Sequence, residues 1–305
     1  MPGSTQLRLG RRQFLAGTCE LAAGASLKDR APGQARREAV QRYDFQGEIR
    51  RYRKIDAHNH LLSAPPRAVI EAADRLEIER LAISIPQGDQ PGEFRASNDR
   101  VLKAMAEFPQ RFLGQCFVNP AYPREAIEEL LRCIGRGMVG LGELYTQVKI
   151  DDPLCYPLIE KCIELRIPIL MHVRGDLGLL RKGHRLEAPA TTSTPDDLAA
   201  IGRRYPEAIV IHAHIGGGGD WEYMCKRLRD VPSVYVDTSG SVTDEGMIEF
   251  AVRHLGASRL LFATDENFES GVGKILAADL TEEERRMIFR ENFNRILKKR
   301  ENRAD

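Results

Sequence analysis

Five of the seven histidines in this 305-residue chain close short apolar runs: His58 and His60 follow Arg-Tyr-Arg-Lys-Ile-Asp-Ala, His172 follows Ile-Pro-Ile-Leu-Met, and His212 and His214 end Ala-Ile-Val-Ile-His-Ala-His. Asp265 closes another such run, Arg-Leu-Leu-Phe-Ala-Thr. Residues two apart on a strand project to the same side, so His58 and His60 can offer two ring nitrogens to one cation at about 2.0 to 2.1 Å. With His172, His214 and Asp265 added, the donors form a nitrogen and oxygen set suited to zinc, manganese or iron, with zinc the leading expectation.

Such distant residues meet only if a fold gathers the ends of their strands. From about Arg53 onward, extended apolar runs alternate with helical-period segments, the pattern of βα units around a parallel sheet. Eight strand candidates can be counted: 54–60, 80–86, 112–119, 139–145, 168–173, 209–214, 234–239 and 259–265. Helices are expected over 124–134, 153–165, 195–205 and 281–297, the last opening on a Thr281/Glu284 capping box. Eight units in roughly 250 residues match a (β/α)₈ TIM barrel, whose strands deliver their C-terminal ends to one mouth. No glycine-rich phosphate loop follows the first strand, and the run Gly216 to Gly219 comes only after the sixth.

The first fifty residues differ, being rich in Arg, Gly, Ala and Gln without a sustained hydrophobic period. Arg11-Arg12-Gln13-Phe14-Leu15 with the modest apolar stretch to Ala25 resembles a twin-arginine export signal. The expected division is a signal and linker over 1–50, the barrel over 51–300 and a tail over 301–305, with a periplasmic or exported location, or a cytoplasmic one if the signal is inert. Lys plus Arg number 45 against 44 for Asp plus Glu, so no global field favours nucleic acid or an anionic membrane, and no stable membrane insertion is expected. The six cysteines lack a tight metal spacing and read as buried thiols. Barrels of this kind can associate, but no residue pattern marks an interface.

Asp56-Ala57-His58-Asn59-His60, the histidine closing Ile169-Leu170-Met171-His172, His214-Ile215-Gly216-Gly217, and Leu261-Phe262-Ala263-Thr264-Asp265 together resemble the amidohydrolase superfamily in its amidohydrolase-related branch. Glu291-Asn292-Phe293 resembles that branch's C-terminal helix, and the likeness spans Ile55 to Leu297. The resemblance implies a divalent metal that lowers the pKa of a water from about 15.7 toward 7, with Asp265 as both ligand and proton acceptor. Glu143 stands where several members place a bridging carboxylate or a carbamylated lysine. In that role it would allow two ions, one on His58, His60 and Asp265, the other on His172 and His214. The alternatives for Glu143 are substrate binding, proton transfer or an ion pair with an arginine.

Other residues carry narrower expectations. His212 shares parity with His214 and is expected one layer below the mouth, bonding a ligand or filling the interior. Arg174 is a candidate grip for an anionic group of a small-molecule substrate, or a loop ion pair. Asp237 is expected to position substrate or to make a structural hydrogen bond. Glu266-Asn267-Phe268 departs from the branch's aromatic-proline pattern after the acid. Glu143 and the export-like leader favour hydrolysis of an ester, lactone or amide, the alternative being non-oxidative decarboxylation on the same ligand set.

Overall fold

The computed structural model describes residues 44–173, 192–217 and 220–301. Arg174, His184 and the expected export signal lie outside the described residues.

The residues from Phe45 onward form one compact unit. Its elements in chain order are α1 (Phe45–Arg51), β1 (Lys54–His60), α2 (Pro66–Asp74), β2 (Ile78–Ser84), α3 (Pro91–Glu107), β3 (Phe112–Cys116), α4 (Pro123–Gly135), β4 (Gly140–Leu144), α5 (Tyr156–Leu165) and β5 (Pro168–Met171). There follow α6 (Pro195–Arg204), β6 (Ile209–His212), α7 (Trp221–Leu228), β7 (Val234–Asp237), α8 (Met247–Leu255), β8 (Leu260–Leu261), α9 (Phe268–Ala277), α10 (Glu282–Arg286) and α11 (Asn292–Glu301). The strands pair in sequence order from β1 to β8, every pair parallel. This is the expected TIM barrel.

Burial on both faces explains the nearly continuous apolar runs: every residue of β1, β4, β5 and β6 is buried. Proline at the first turn starts α2, α3, α4 and α6, where its missing N–H costs nothing. The Thr281/Glu284 capping box forms as expected, with Thr281 Oγ1 accepting from Glu284 N–H at 3.2 Å. Beyond it, a π-helical turn over Met287–Glu291 separates α10 from α11, and Ile288 O accepts from Phe262 N–H at 2.9 Å. The expected single helix is thus interrupted where one of its carbonyls joins the strand after β8. All five described cysteines are free and buried.

Two boundaries differ from expectation. The unit begins before residue 51, because α1 buries Ile49 and its end is tied to β1 by Lys54 Nζ, which donates to Ile49 O at 2.8 Å and Tyr52 O at 2.6 Å. At the other end β8 is two residues long, since the chain after Leu261 turns to join β1. Ala57 N–H donates to Phe262 O at 2.9 Å, and Asp265 N–H donates to His58 O at 2.9 Å. The buried Asp56 carboxylate reinforces this seam, accepting from Thr264 N–H at 3.1 Å, Thr264 Oγ1 at 2.5 Å and Asn59 Nδ2 at 2.9 Å. Among the described residues no helix is long and apolar enough to cross a membrane.

Candidate metal centre

The seam sets the first donors. His58 and His60 end β1 with their Nε2 atoms 3.1 Å apart, and Asp265 Oδ1 lies 3.2 Å from His60 Nε2 and 4.0 Å from His58 Nε2. Glu143 arrives from β4, where Gly142 has φ 126° and a side chain would meet Leu170 O at 2.3 Å. Only glycine fits that approach. Glu143 Oε2 lies 3.5 Å from His58 Nε2 and 3.3 Å from His60 Nε2. Its other oxygen, Oε1, lies 2.7 Å from His172 Nδ1 and 3.1 Å from His214 Nε2. One carboxylate therefore stands between two pairs of imidazoles, and His172 and His214 are themselves 3.1 Å apart.

Hydrogen bonds behind the rings fix which nitrogen faces inward. His58 Nδ1 donates to Asp237 Oδ2 at 2.8 Å, and His60 Nδ1 to the Ser84 carbonyl at 3.3 Å, with the Ser84 hydroxyl 3.1 Å away. Ser239 Oγ gives its proton to Asp237 Oδ1 at 2.6 Å and so accepts from His214 Nδ1 at 2.9 Å. Three Nε2 atoms are thereby left facing one another and the oxygens of Glu143, each able to take a metal ion or, without one, a proton. Acceptors opposed at such distances repel unless a cation lies among them. Donors held about 2.1 Å from one ion also stand about 3.0 to 3.4 Å apart, close to the separations observed around His60. The residues fit a divalent metal on both counts.

Titration behaviour reflects the same opposition. Burial works against a charged His58, but Glu143 and Asp237 outweigh it and raise its pKa well above the ordinary imidazole value. Burial likewise opposes charge on Glu143, yet His58, His172 and His214 hold it well below the carboxylate range. Asp265 is lowered despite burial by His60, His58 and His214.

Placed against expectation, His58, His60, His172, His214, Glu143 and Asp265 come together at the C-terminal ends of their strands. All the described side-chain partners of Glu143 are histidines, not arginines. Asp237 does not line a substrate site: it is fully buried behind His58, and Oδ1 also accepts from His214 N–H at 2.9 Å. His212 does not bond a ligand either, since neither ring nitrogen has a partner among the described residues, and burial lowers its pKa to about 4. Ser84 and Ser239 were not anticipated, although each is a polar residue at a strand end. Tyr145 was also missed; it is 55% exposed, and its ring meets His172 edge-on at 4.2 Å. With Thr192 and Ser193 these two residues line a small recess of about 80 Å³.

A closed parallel barrel with converging histidines and carboxylates at its mouth defines a class of metal-site barrels. Within that class the chain belongs to the amidohydrolase family, whose profile matches residues 55–299. A gamma-resorcylate decarboxylase from Rhizobium sp. (strain MTP-10005) is 27% identical over 294 residues, covering 81% of this chain and 86% of that protein. The crystal structure of 2,6-dihydroxybenzoate decarboxylase from Rhizobium superposes with a TM-score of 0.63 at 20% identity, covering 81% of this chain and 99% of that one. The dihydroxybenzoic acid decarboxylase of Polaromonas sp. JS666, with bound manganese and 2-nitroresorcinol, gives 0.63 at 20% identity, covering 83% and 98%. These relatives overturn the expectation of ester, lactone or amide hydrolysis, because they are named as decarboxylases. Zinc gains no support from them, the bound ion being manganese.

Proposed function

We propose that this chain is a metal-dependent, non-oxidative decarboxylase of a small aromatic carboxylate. The observation that carries the reading is the set of inward imidazole nitrogens around Glu143, in a chain similar over most of its length to a gamma-resorcylate decarboxylase. His58, His60 and Asp265 would hold one ion with Glu143 Oε2, and His172 and His214 would hold a second on Oε1. A divalent ion bound there supplies positive charge that orients the substrate carboxylate and stabilises negative charge developing on the ring.

Asp265 is the most exposed of the carboxylates at the site, at 27%, and faces the mouth. It passes a proton to the ring carbon as the carbon–carboxyl bond breaks, the electron pair staying on that carbon and carbon dioxide leaving. His60, His58 and His214 keep its carboxyl ionised at rest, so the proton it passes on has first to be taken up from solvent. Arg174, outside the described residues, is the proposed partner for an anionic substituent.

The test is purified protein loaded with manganese or zinc, assayed with 2,6-dihydroxybenzoate and a panel of aromatic carboxylates for carbon dioxide and the decarboxylated ring. Turnover of esters or lactones without carbon dioxide release would refute the proposal. Metal content near two per chain supports the shared role of Glu143, whereas one assigns it to proton or substrate handling.

We also propose that the segment before Phe45 exports the folded protein. Its support is Arg11-Arg12-Gln13-Phe14-Leu15, and retention of an Arg11→Lys/Arg12→Lys variant in the cytoplasm is the expected result.

A further inference from the structure

Asp265 and Glu266 are consecutive non-glycine residues in the left-handed region, at φ 48° and 62°. L side chains enter that region at a cost and seldom in pairs, so the surrounding structure must hold them. The inner side of the turn is held by backbone: Asp265 N–H donates to His58 O and Asn267 N–H to Thr264 O, both at 2.9 Å. On the outer side, the Glu266 carboxylate reaches across the rim to the segment that follows β1. It accepts from the Ser63 hydroxyl at 2.9 and 3.1 Å and from Leu62 N–H at 3.4 Å. Leu62 lies two residues after His60. One side chain thus joins the stretch behind His60 to the turn that carries Asp265, whose Oδ1 is 3.2 Å from His60 Nε2.

We propose that Glu266 is a positioning residue: its latch on Ser63 holds the left-handed turn and keeps Asp265 aimed at His60, which sets how tightly the site holds a divalent cation. The proposal rests on the reading of Asp265 as a donor.

The test measures Mn²⁺ affinity of the full chain, from the electron paramagnetic resonance signal of the free aqueous ion, together with the thermal midpoint of the metal-free protein. Ser63→Ala and Glu266→Ala are each expected to raise the Mn²⁺ Kd about tenfold, the scale seen when residues supporting a metal ligand are removed. Because the two share one interaction, the double variant should be no weaker than either single variant. Glu266→Gln keeps an oxygen for Ser63 and Leu62 and should bind close to the parent value, which separates the latch from simple attraction between a carboxylate and a cation. A merely structural role would lower the midpoint and leave the Kd alone. The proposal is overturned if Ser63→Ala and Glu266→Ala bind Mn²⁺ like the parent, or if Glu266→Gln is as weak as Glu266→Ala. Asp265→Asn tells the two readings apart: parent affinity in that variant would remove Asp265 as a donor, whereas weakened binding there with unaffected latch variants would remove the latch alone.

Discussion

Asp237 supports two histidines at once, through Oδ2 on His58 and through Oδ1 on the His214 backbone and Ser239. Asp237→Asn keeps the volume but places an N–H donor against one of these donors. The expected result is a folded protein whose Mn²⁺ affinity falls 10- to 100-fold, read by equilibrium dialysis. Gly142→Ala should be more damaging, since the added carbon would sit 2.3 Å from Leu170 O and the backbone there is at φ 126°. Loss of about 2 kcal/mol or more in denaturant unfolding, with loss of bound metal, is expected. His212→Leu should behave oppositely: with neither nitrogen partnered among the described residues, an apolar side chain there is neutral or stabilising, and Mn²⁺ affinity is unchanged. A large loss of affinity in that variant would show that the ring supports His214. His58, His60, His172, His214 and Asp265 were legible in the sequence because each sits at or just past the end of an apolar strand, with His58 and His60 sharing β1. Asp237, Ser84 and Ser239 were not legible in role, because what lies behind a ring depends on the neighbouring strand's register.

At the scale of elements, Lys54 shows how a strand start can anchor a helix that the composition had assigned to a linker. Its ammonium satisfies two carbonyls at the end of α1 and lies 5.1 Å from the Phe289 ring, and burial lowers its pKa from 10.5 to about 8. Below pH 8 both folded and unfolded chains carry the charge, so the burial cost, about 3 kcal/mol, is fully present. Between about 8 and 10.5 the unfolded chain binds more protons, and folding stability contributed by this group rises with pH. Lys54→Met removes that cost but orphans two carbonyls, each worth about 1 to 3 kcal/mol, so the net change near neutral pH is small. The expected signatures are loss of the alkaline rise relative to the parent and faster amide exchange over 45–51. The strands were readable from their apolar runs, with β1 matching residue for residue. The shortness of β8 was not, because Leu261 to Asp265 is equally apolar whether it pairs in a ladder or crosses the seam.

For the whole molecule, a site whose donors come from five strands links cation binding to global stability. An ion at 100 times its Kd adds about 2.7 kcal/mol to the folded state. For a unit of this size that corresponds to a rise in thermal midpoint of roughly 5 to 10 °C. Calorimetry with added Mn²⁺ should show this rise, and a chelator should reverse it; a midpoint indifferent to both would separate the donors from any ion. The seam between β8 and β1 carries a further consequence for biosynthesis. His58 and His60 leave the ribosome two hundred residues ahead of Asp265, so a nascent polypeptide exposes half a chelate with nothing to close it. The pocket can discriminate among cellular ions only after translation has delivered the last strand, and a prematurely terminated product should scavenge metal weakly and without selectivity.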